Sequence, residues 1–159
     1  MAAEARLQDF PLRTYDKLRY ADTDKQGHVN NAVYSTFYET GRVEFIEKAR
    51  EAGGAEAENS EFVIAQITVQ YLRETHWPAN GDIGSRVKRI GNTSLVVEQG
   101  LFVDGELKSR AESVVVQIDT ETRKPAPFRG AMRAFLETLV VTDPSATGPA
   151  GSGAPEGGE

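Results

Sequence analysis

The sequence predicts an α+β fold: a five-stranded antiparallel sheet wrapped around one long central helix, with a short helix near the C-terminus. Three observations predict it. Apolar residues recur at spacings of three and four over about 22 residues of the N-terminal third, the mark of a long helix. The period then changes to two, as in half-buried strands. Tight-turn signals separate those later segments, which joins them as antiparallel neighbours.

The first strand is expected at Leu12–Tyr20, where Leu12, Tyr15, Leu18 and Tyr20 stand between charges. A polar loop, ADTDKQGHVNN, follows it. The helix comes next, with Tyr34, Phe37, Tyr38, Gly41, Phe45 and Ala49 on one stripe and Val33, Val43 and Ile46 widening it. Asn30 or Asn31 can cap its start, because either amide oxygen can accept from an orphan N–H. Gly53-Gly54 stops it. At 1.5 Å per residue it reaches roughly 33 Å, long enough to need a covering layer.

In Phe62–Leu72 the odd positions Val63, Ala65, Ile67, Val69 and Tyr71 are apolar, while Gln66, Thr68 and Gln70 alternate with them. Pro78 and Asn80-Gly81 set this strand apart from Ile83–Ile90, and Gly91-Asn92 turns the chain into Ser94–Val103. Asp104-Gly105 is a strong hairpin signal that leads into Glu106–Asp119. After Pro125 and Pro127, Met132, Phe135, Leu136 and Leu139 place an amphipathic helix at about 129–139. Such a sheet leaves strand edges open, and pairing between copies is the simplest remedy, so a homodimer or homotetramer is expected.

The chain has 159 residues, 39% hydrophobic and 26% charged, which suits one globular domain with its own core. That domain is expected over residues 8–141, with a frayed start. Residues 142–159, TDPSATGPAGSGAPEGGE, hold no large apolar side chain and are expected to stay disordered. The absence of cysteine excludes disulfides, a thiol nucleophile and thiolate metal sites. A net charge of −6 argues against general nucleic-acid binding. No apolar run of about 18 residues is present, so no membrane span is expected. MAAEARLQDF lacks a basic region followed by an apolar run, so a cytoplasmic location is the expectation.

The informative segment is Asp22-Thr23-Asp24-Lys25-Gln26-Gly27-His28-Val29-Asn30-Asn31, between the first strand and the helix. A helix start offers unpaired N–H groups and partial positive charge, which polarise a carbonyl oxygen. A carboxylate a few residues earlier, Asp24, can fold back beside that spot, which makes a site for acyl hydrolysis. If the segment is extended, Asp22 and Asp24 point to the same side and their charges couple. The same residues also suit ordinary turns and caps: Asp22 and Asn30 fit that role, and His28 fits a loop hydrogen bond. His76, beside Trp77-Pro78, reads as structural. No metal is expected. Asp22, Asp24, Gln26 and Gly27 match positions 1, 3, 5 and 6 of a calcium loop, but position 12 falls on Val33 instead of Glu. No G-x-S-x-G and no phosphate-cradling Gly-rich loop occurs.

Asp22-x-Asp24-x-x-Gly27-His28-Val29-Asn30-Asn31-x-x-Tyr34, opening a long helix after a first strand, resembles the hotdog-fold thioesterases. The 4-hydroxybenzoyl-CoA thioesterase type, with its acyl-CoA and acyl-ACP hydrolase relatives, is the most similar branch. The likeness runs over about residues 11–140, and Gly91-Asn92-Thr93-Ser94 and Asp104-Gly105-Glu106-Leu107 fit the family's later turns. The resemblance implies that Asp24 is the catalytic carboxylate, as nucleophile or general base. It implies that the main-chain N–H of Asn31 contacts the thioester carbonyl. The plant acyl-ACP branch carries Asp, Asn and His at alternate positions, and Asp24, Gln26 and His28 match them with Gln in place of Asn. Glu74, in Tyr71-Leu72-Arg73-Glu74, matches that branch's glutamate; it can orient water or stand as an exposed strand-end charge.

Implied contacts to the substrate near the loop are Gly27, Asn30 and Tyr34. Arg86, Lys88 and Arg89 with Asn92 and Thr93, or the group Arg123, Lys124 and Arg129, can meet the nucleotide phosphates, and each equally suits ordinary solvated surface charge. Phe37, Tyr38 and Phe45 are candidates to line the acyl chain and equally candidates for core. The expected activity is hydrolysis of an acyl-CoA to a carboxylic acid and free CoA, with no cofactor beyond the CoA of the substrate. Acyl-ACP is the nearest alternative. A hotdog hydratase would place its His five residues after the Asp with Asn-Pro between, whereas Asp24 and His28 are four apart. A non-catalytic acyl-CoA sensor would need a DNA-binding segment that this sequence lacks.

Overall fold

The long helix α1 spans Asn31–Gly53, and a curved sheet packs on one of its faces. The computed structural model describes residues 4–141, so the expected tail at 142–159 lies outside the described residues. Asn30 caps α1, its Oδ1 accepting from the Ala32 N–H at 3.0 Å. Gly54, with φ 57°, ends the helix by turning its N–H back to the Arg50 and Glu51 carbonyls.

The strands are β1 (Leu12–Lys17), β2 (Ser60–Tyr71), β3 (Asn80–Ile90), β4 (Ser94–Val103) and β5 (Glu106–Asp119), and α2 covers Gly130–Thr138. Their order is β1-β3-β4-β5-β2, with every pairing antiparallel. The Asp104-Gly105 hairpin joins β4 to β5 with positive φ at both residues, 52° and 79°, as a primed turn requires.

Tyr34, Phe37, Tyr38, Gly41, Phe45 and Ala49 are the buried stripe of α1. They meet Ile83, Leu101, Ala111, Val97 and Val115 of the sheet. Burying side chains of this size contributes about 1.5–3 kcal/mol each. The Tyr38 hydroxyl donates to Ser109 Oγ at 2.7 Å, and Ser109 Oγ donates to the Gln70 carbonyl at 2.8 Å, which ties α1 to β5 and β2. Gly41 is required by closeness: a Cβ there would lie 2.6 Å from Ile83 Cγ2 and 2.9 Å from Gln99 Nε2. α2 covers the far end of the same core through Met132 and Leu136.

Three expectations need correction. The first strand stops at Lys17, because Tyr20–Asp22 coils into a 3-10 turn held by Asp22 on the Arg19 N–H. Asn80-Gly81 is not a breaker but the start of β3, since Asn80 and Gly81 pair with Lys17 and Asp16. The stripe of α1 is narrower than expected, and Val43 is exposed. Among the described residues no helix is long and apolar enough to cross a membrane.

β1 and β2 are the two edges of the sheet. Ile64, Ile67, Val69 and Tyr71 of β2 sit opposite Val115, Ser113, Ala111 and Ser109, the buried face of β5. They therefore share the helix-facing side. Yet Ile64, Ile67 and Tyr71 remain exposed, because α1 packs mainly against β3 and β1 and leaves this edge bare.

Candidate active site

The loop between β1 and α1 folds back on itself. Thr23 bridges Val29, the Asp24 N–H donates to the His28 carbonyl at 2.7 Å, and the Gly27 N–H donates to the Asp24 carbonyl at 3.0 Å. Gly27, at φ 83°, supplies the left-handed residue this reversal requires. Asp24 Oδ1 accepts from the Gln26 N–H at 2.8 Å and the His28 N–H at 3.3 Å. The carboxylate is thus fixed by main chain, and Oδ2 takes no bond among the described residues.

The loop is pinned from both sides. The Val29 N–H donates to the Thr75 carbonyl and the Asn30 N–H to the Asp22 carbonyl, each at 2.8 Å. The Tyr34 hydroxyl donates to Thr75 Oγ1 at 2.9 Å, and Tyr71 Oη donates to the Asn31 carbonyl at 3.2 Å. The start of α1 and the segment after β2 therefore move as one piece.

These elements enclose a cleft of about 270 Å³ that Asp24, Gln26, His28, Asn31, Tyr34, Tyr71, Arg73 and Glu74 line together with Val29 and Leu72. Asp24 and the first residue of α1 thus face one space. The Asn31 N–H has no hydrogen-bond partner among the described residues, as befits the first turn of a helix. A carbonyl oxygen placed there meets a free donor and the positive end of the helix.

The expected coupling of Asp22 to Asp24 is not found. Asp22 is buried and turned away, its Oδ1 2.7 Å from Arg19 Nη2 and its Oδ2 2.8 Å from the Arg19 N–H. The Arg19 guanidinium holds this carboxyl below the ordinary range, against the opposing effect of burial. The reason is local: the 3-10 turn breaks the extended backbone that would have aligned the two carboxylates.

His28 and Glu74 do meet, with Nε2 3.2 Å from Oε2. His76, read from sequence as structural, joins them, its Nε2 3.7 Å from the same oxygen and its ring 5.1 Å from that of His28. The signal that could have found it is its spacing of two from Glu74, which puts both on one side of an extended segment. Of the expected substrate contacts Gly27, Asn30 and Tyr34, only Tyr34, which is buried, lines the cleft; Gly27 serves the loop reversal and Asn30 the helix cap.

The predicted phosphate contacts lie elsewhere. Arg86 is buried on the outer face of the sheet, 2.8 Å from Glu98 and 4.6 Å above the Phe10 ring, where it is sequestered from any ligand. Arg89, Asn92 and Thr93 sit at the β3–β4 turn. Ser94, next in sequence, pairs with Val116, which pairs with Val63, whereas Tyr71 lines the cleft. Those eight residues of β2 put the turn about 25 Å from the cleft. The Asn92 carbonyl accepts from the Phe128 N–H, so the Arg123–Arg129 group is at that same distant end. Phe37, Tyr38 and Phe45 are buried in the core, and none of them lines the Asp24 cleft.

A second, larger cleft of about 680 Å³ lies at that end, between Gly53, Glu56, Gln117, Asp119, Arg129 and Met132. It lies between the C-terminal end of α1 and the first residues of α2, Gly130 and Met132, so the partial negative charge of one helix end is set against the partial positive charge of the other.

A model of the Thioesterase-like superfamily matches residues 18–136. The chain is 32% identical over 118 residues to the acyl-CoA thioester hydrolase YbgC of Escherichia coli O6:H1, covering 73% of this chain and 85% of that relative. It is 28% identical over 131 residues to the long-chain acyl-CoA thioesterase FadM of Escherichia coli K12, covering 81% and 99%. Among solved structures, a thioesterase from Thermus thermophilus complexed with coenzyme A and Zn superposes with a TM-score of 0.71 at 30% identity, over 83% of this chain and 96% of that one.

Proposed function

This chain belongs to the thioesterase-like superfamily and has its hotdog fold, and from that premise we propose that it hydrolyses acyl-CoA thioesters to a carboxylic acid and free CoA. The observation that carries the reading is that Asp24 and the free N–H end of α1 line one cleft. The thioester carbonyl oxygen accepts from the Asn31 N–H. Asp24 Oδ2 then either attacks the carbonyl carbon, expelling the CoA thiolate and leaving an acyl-aspartyl anhydride for water to cleave, or takes a proton from a water that attacks directly. In both routes water supplies the oxygen of the acid and the proton of the thiol.

Glu74 and His28, in contact on the cleft wall, hold the attacking water. A thioester has little resonance stabilisation, so one carboxylate and one polarising donor suffice without a nucleophilic triad.

CoA is favoured over an acyl carrier protein because the relatives at 32% and 28% identity are an acyl-CoA thioester hydrolase and a long-chain acyl-CoA thioesterase. Asp24 and Glu74 stand at the cleft and the guanidinium of Arg73 is already paired with Glu4 at 2.8 Å, so an anionic carrier of either kind needs cations from elsewhere. The phosphates of CoA need the basic end of the molecule, which within one chain is too distant. A homodimer or homotetramer that covers the exposed Ile64, Ile67 and Tyr71 edge brings the basic end of one copy to the cleft of a second. Activity of this kind suits the cytoplasm, where acyl-CoA is found.

The test is a panel of acyl-CoAs with thiol release followed by a thiol-reactive dye, to which this cysteine-free chain adds no background. Release of CoASH from at least one saturated acyl-CoA is expected. Hydration of an enoyl-CoA without thiol release, or no turnover on any member, contradicts the reading. Sedimentation tests the assembly: Ile67→Glu is expected to dissociate it, and an unchanged sedimentation coefficient contradicts that arrangement.

A further inference from the structure

The chain contains two histidines, and the fold brings both to one place. His28 belongs to the loop before α1 and His76 to the segment after β2, and the two residues form an antiparallel bridge. Their rings meet edge to face, and Glu74 Oε2 lies 3.2 Å from His28 Nε2 and 3.7 Å from His76 Nε2. All three ligand atoms fall within 4.8 Å of one another. A tetrahedral cation with bonds near 2.0–2.1 Å separates its ligand atoms by about 3.4 Å, so small side-chain rotations bring this set onto three corners of a tetrahedron.

We propose that His28, Glu74 and His76 form a three-ligand site for a divalent first-row transition cation, with Zn²⁺ the best match to two imidazoles and one carboxylate. The donor set excludes Mg²⁺ and Ca²⁺ as preferred occupants, since these take oxygen ligands in larger number. Borderline metals of the Co²⁺, Ni²⁺, Cu²⁺ and Zn²⁺ group favour imidazole nitrogen.

The site is preformed by main chain, because the Val29 N–H bond to Thr75 and the bridge beside it fix the two histidine backbones before any ion arrives. Three protein ligands leave the fourth position to water, the composition of an open site. His28 and Glu74 line the Asp24 cleft while His76 does not, so the cation sits on the rim of that cleft. This inference goes beyond the hydrolase reading: it shares His28 and Glu74 with the pair placed there on the attacking water, but binding requires neither Asp24 nor turnover.

The presence of two histidines only makes the test direct. In the untagged, chelator-treated protein, the imidazole Cε1–H region of the proton NMR spectrum holds two signals, and ZnCl₂ is titrated against them at neutral pH. The proposal expects both signals to shift together and saturate at one equivalent. Isothermal titration is expected to give a micromolar or tighter Kd that His76→Ala weakens at least tenfold and Glu74→Gln weakens as well. Co²⁺ is expected to give the visible absorption of a four-coordinate nitrogen and oxygen site. Movement of one histidine alone, no movement of either, or equal Zn²⁺ affinity in wild type and His76→Ala overturns the proposal. Each of these outcomes reads binding directly, so it is distinguishable from a failure of thioester hydrolysis.

Discussion

Asp24 and Asp119 are held in the same way at opposite ends of the molecule. Asp24 Oδ1 accepts from the N–H groups of Gln26 and His28, and Asp119 Oδ1 accepts from those of Glu121 and Thr122. Each carboxylate lines a cleft, and the cleft at Asp119 is the larger. What differs is the set of helix ends beside it. Asp24 shares its cleft with Asn31, the first residue of the 23-residue α1. Asp119 shares its cleft with Gly53, the last residue of α1, and with Gly130, the first of the nine-residue α2. At Asp24 the positive end of a long helix stands alone, whereas at Asp119 two helix ends of opposite sign offset each other. On the proposed reading it is this unopposed helix start, not the turn that fixes the carboxylate or the cavity size, that favours negative charge on a carbonyl oxygen.

The sharpest way to break this comparison is to neutralise both carboxylates. Asp24→Asn is expected to lower kcat at least about 100-fold with the fold intact, whereas Asp119→Asn leaves kcat within about twofold. Initial thiol-release rates measure both, and equal losses would erase the distinction. The next effect concerns the helix that separates the two ends. Gly41→Ala gains about 1 kcal/mol of helix propensity. It also forces Cβ against Ile83 and Gln99, at a cost of about 1–3 kcal/mol. Both neighbours are packed and cannot yield, so a net loss is expected, read as a lower urea midpoint with an unchanged m-value.

Asp22→Asn is smaller. It removes the charge opposite an Arg19 that is itself exposed, so about 1–2 kcal/mol is expected from thermal unfolding. The pH dependence has a defined sign. The folded pKa of Asp22 lies below its unfolded value of about 3.9, so this stabilisation is complete above that pH and is lost as the pH falls from there through the lower folded pKa. Wild type is therefore expected to lose stability on acidification below about pH 4 more steeply than Asp22→Asn. Parallel profiles would contradict this. Asp119 is lowered as well, first by the Thr122 N–H, and follows the same sign.

Much of the architecture is legible in the sequence because it is local. Ser94–Val103 and Glu106–Asp119 coincide with β4 and β5, since the Asp104-Gly105 turn fixes their register. The helix is visible because its stripe and both caps lie within the segment itself. Asp24, Asn31, His28 and Glu74 are found together as expected, since one motif and one short run carry them.

What escaped is long-range. Asn80-Gly81 reads as a turn until β1 is laid against it. Asp22 is the local exception: it reads as a partner of Asp24 until Arg19, three residues away, claims it. Arg86 reads as a phosphate contact until Phe10 and Glu98 cover it. His76 joins the site through a bridge to a residue 48 positions earlier, a contact no local pattern encodes.

The central claim is that Asp24 and the Asn31 N–H grip one thioester carbonyl. A crystal structure with an acyl-CoA analogue in which a methylene replaces the sulfur and the ketone survives tests it most directly. The carbonyl oxygen is expected about 3 Å from the Asn31 nitrogen, with an Asp24 carboxylate oxygen facing the carbonyl carbon. A carbonyl lodged instead between Gln117 and Arg129, or out of hydrogen-bond reach of Asn31, would contradict the account.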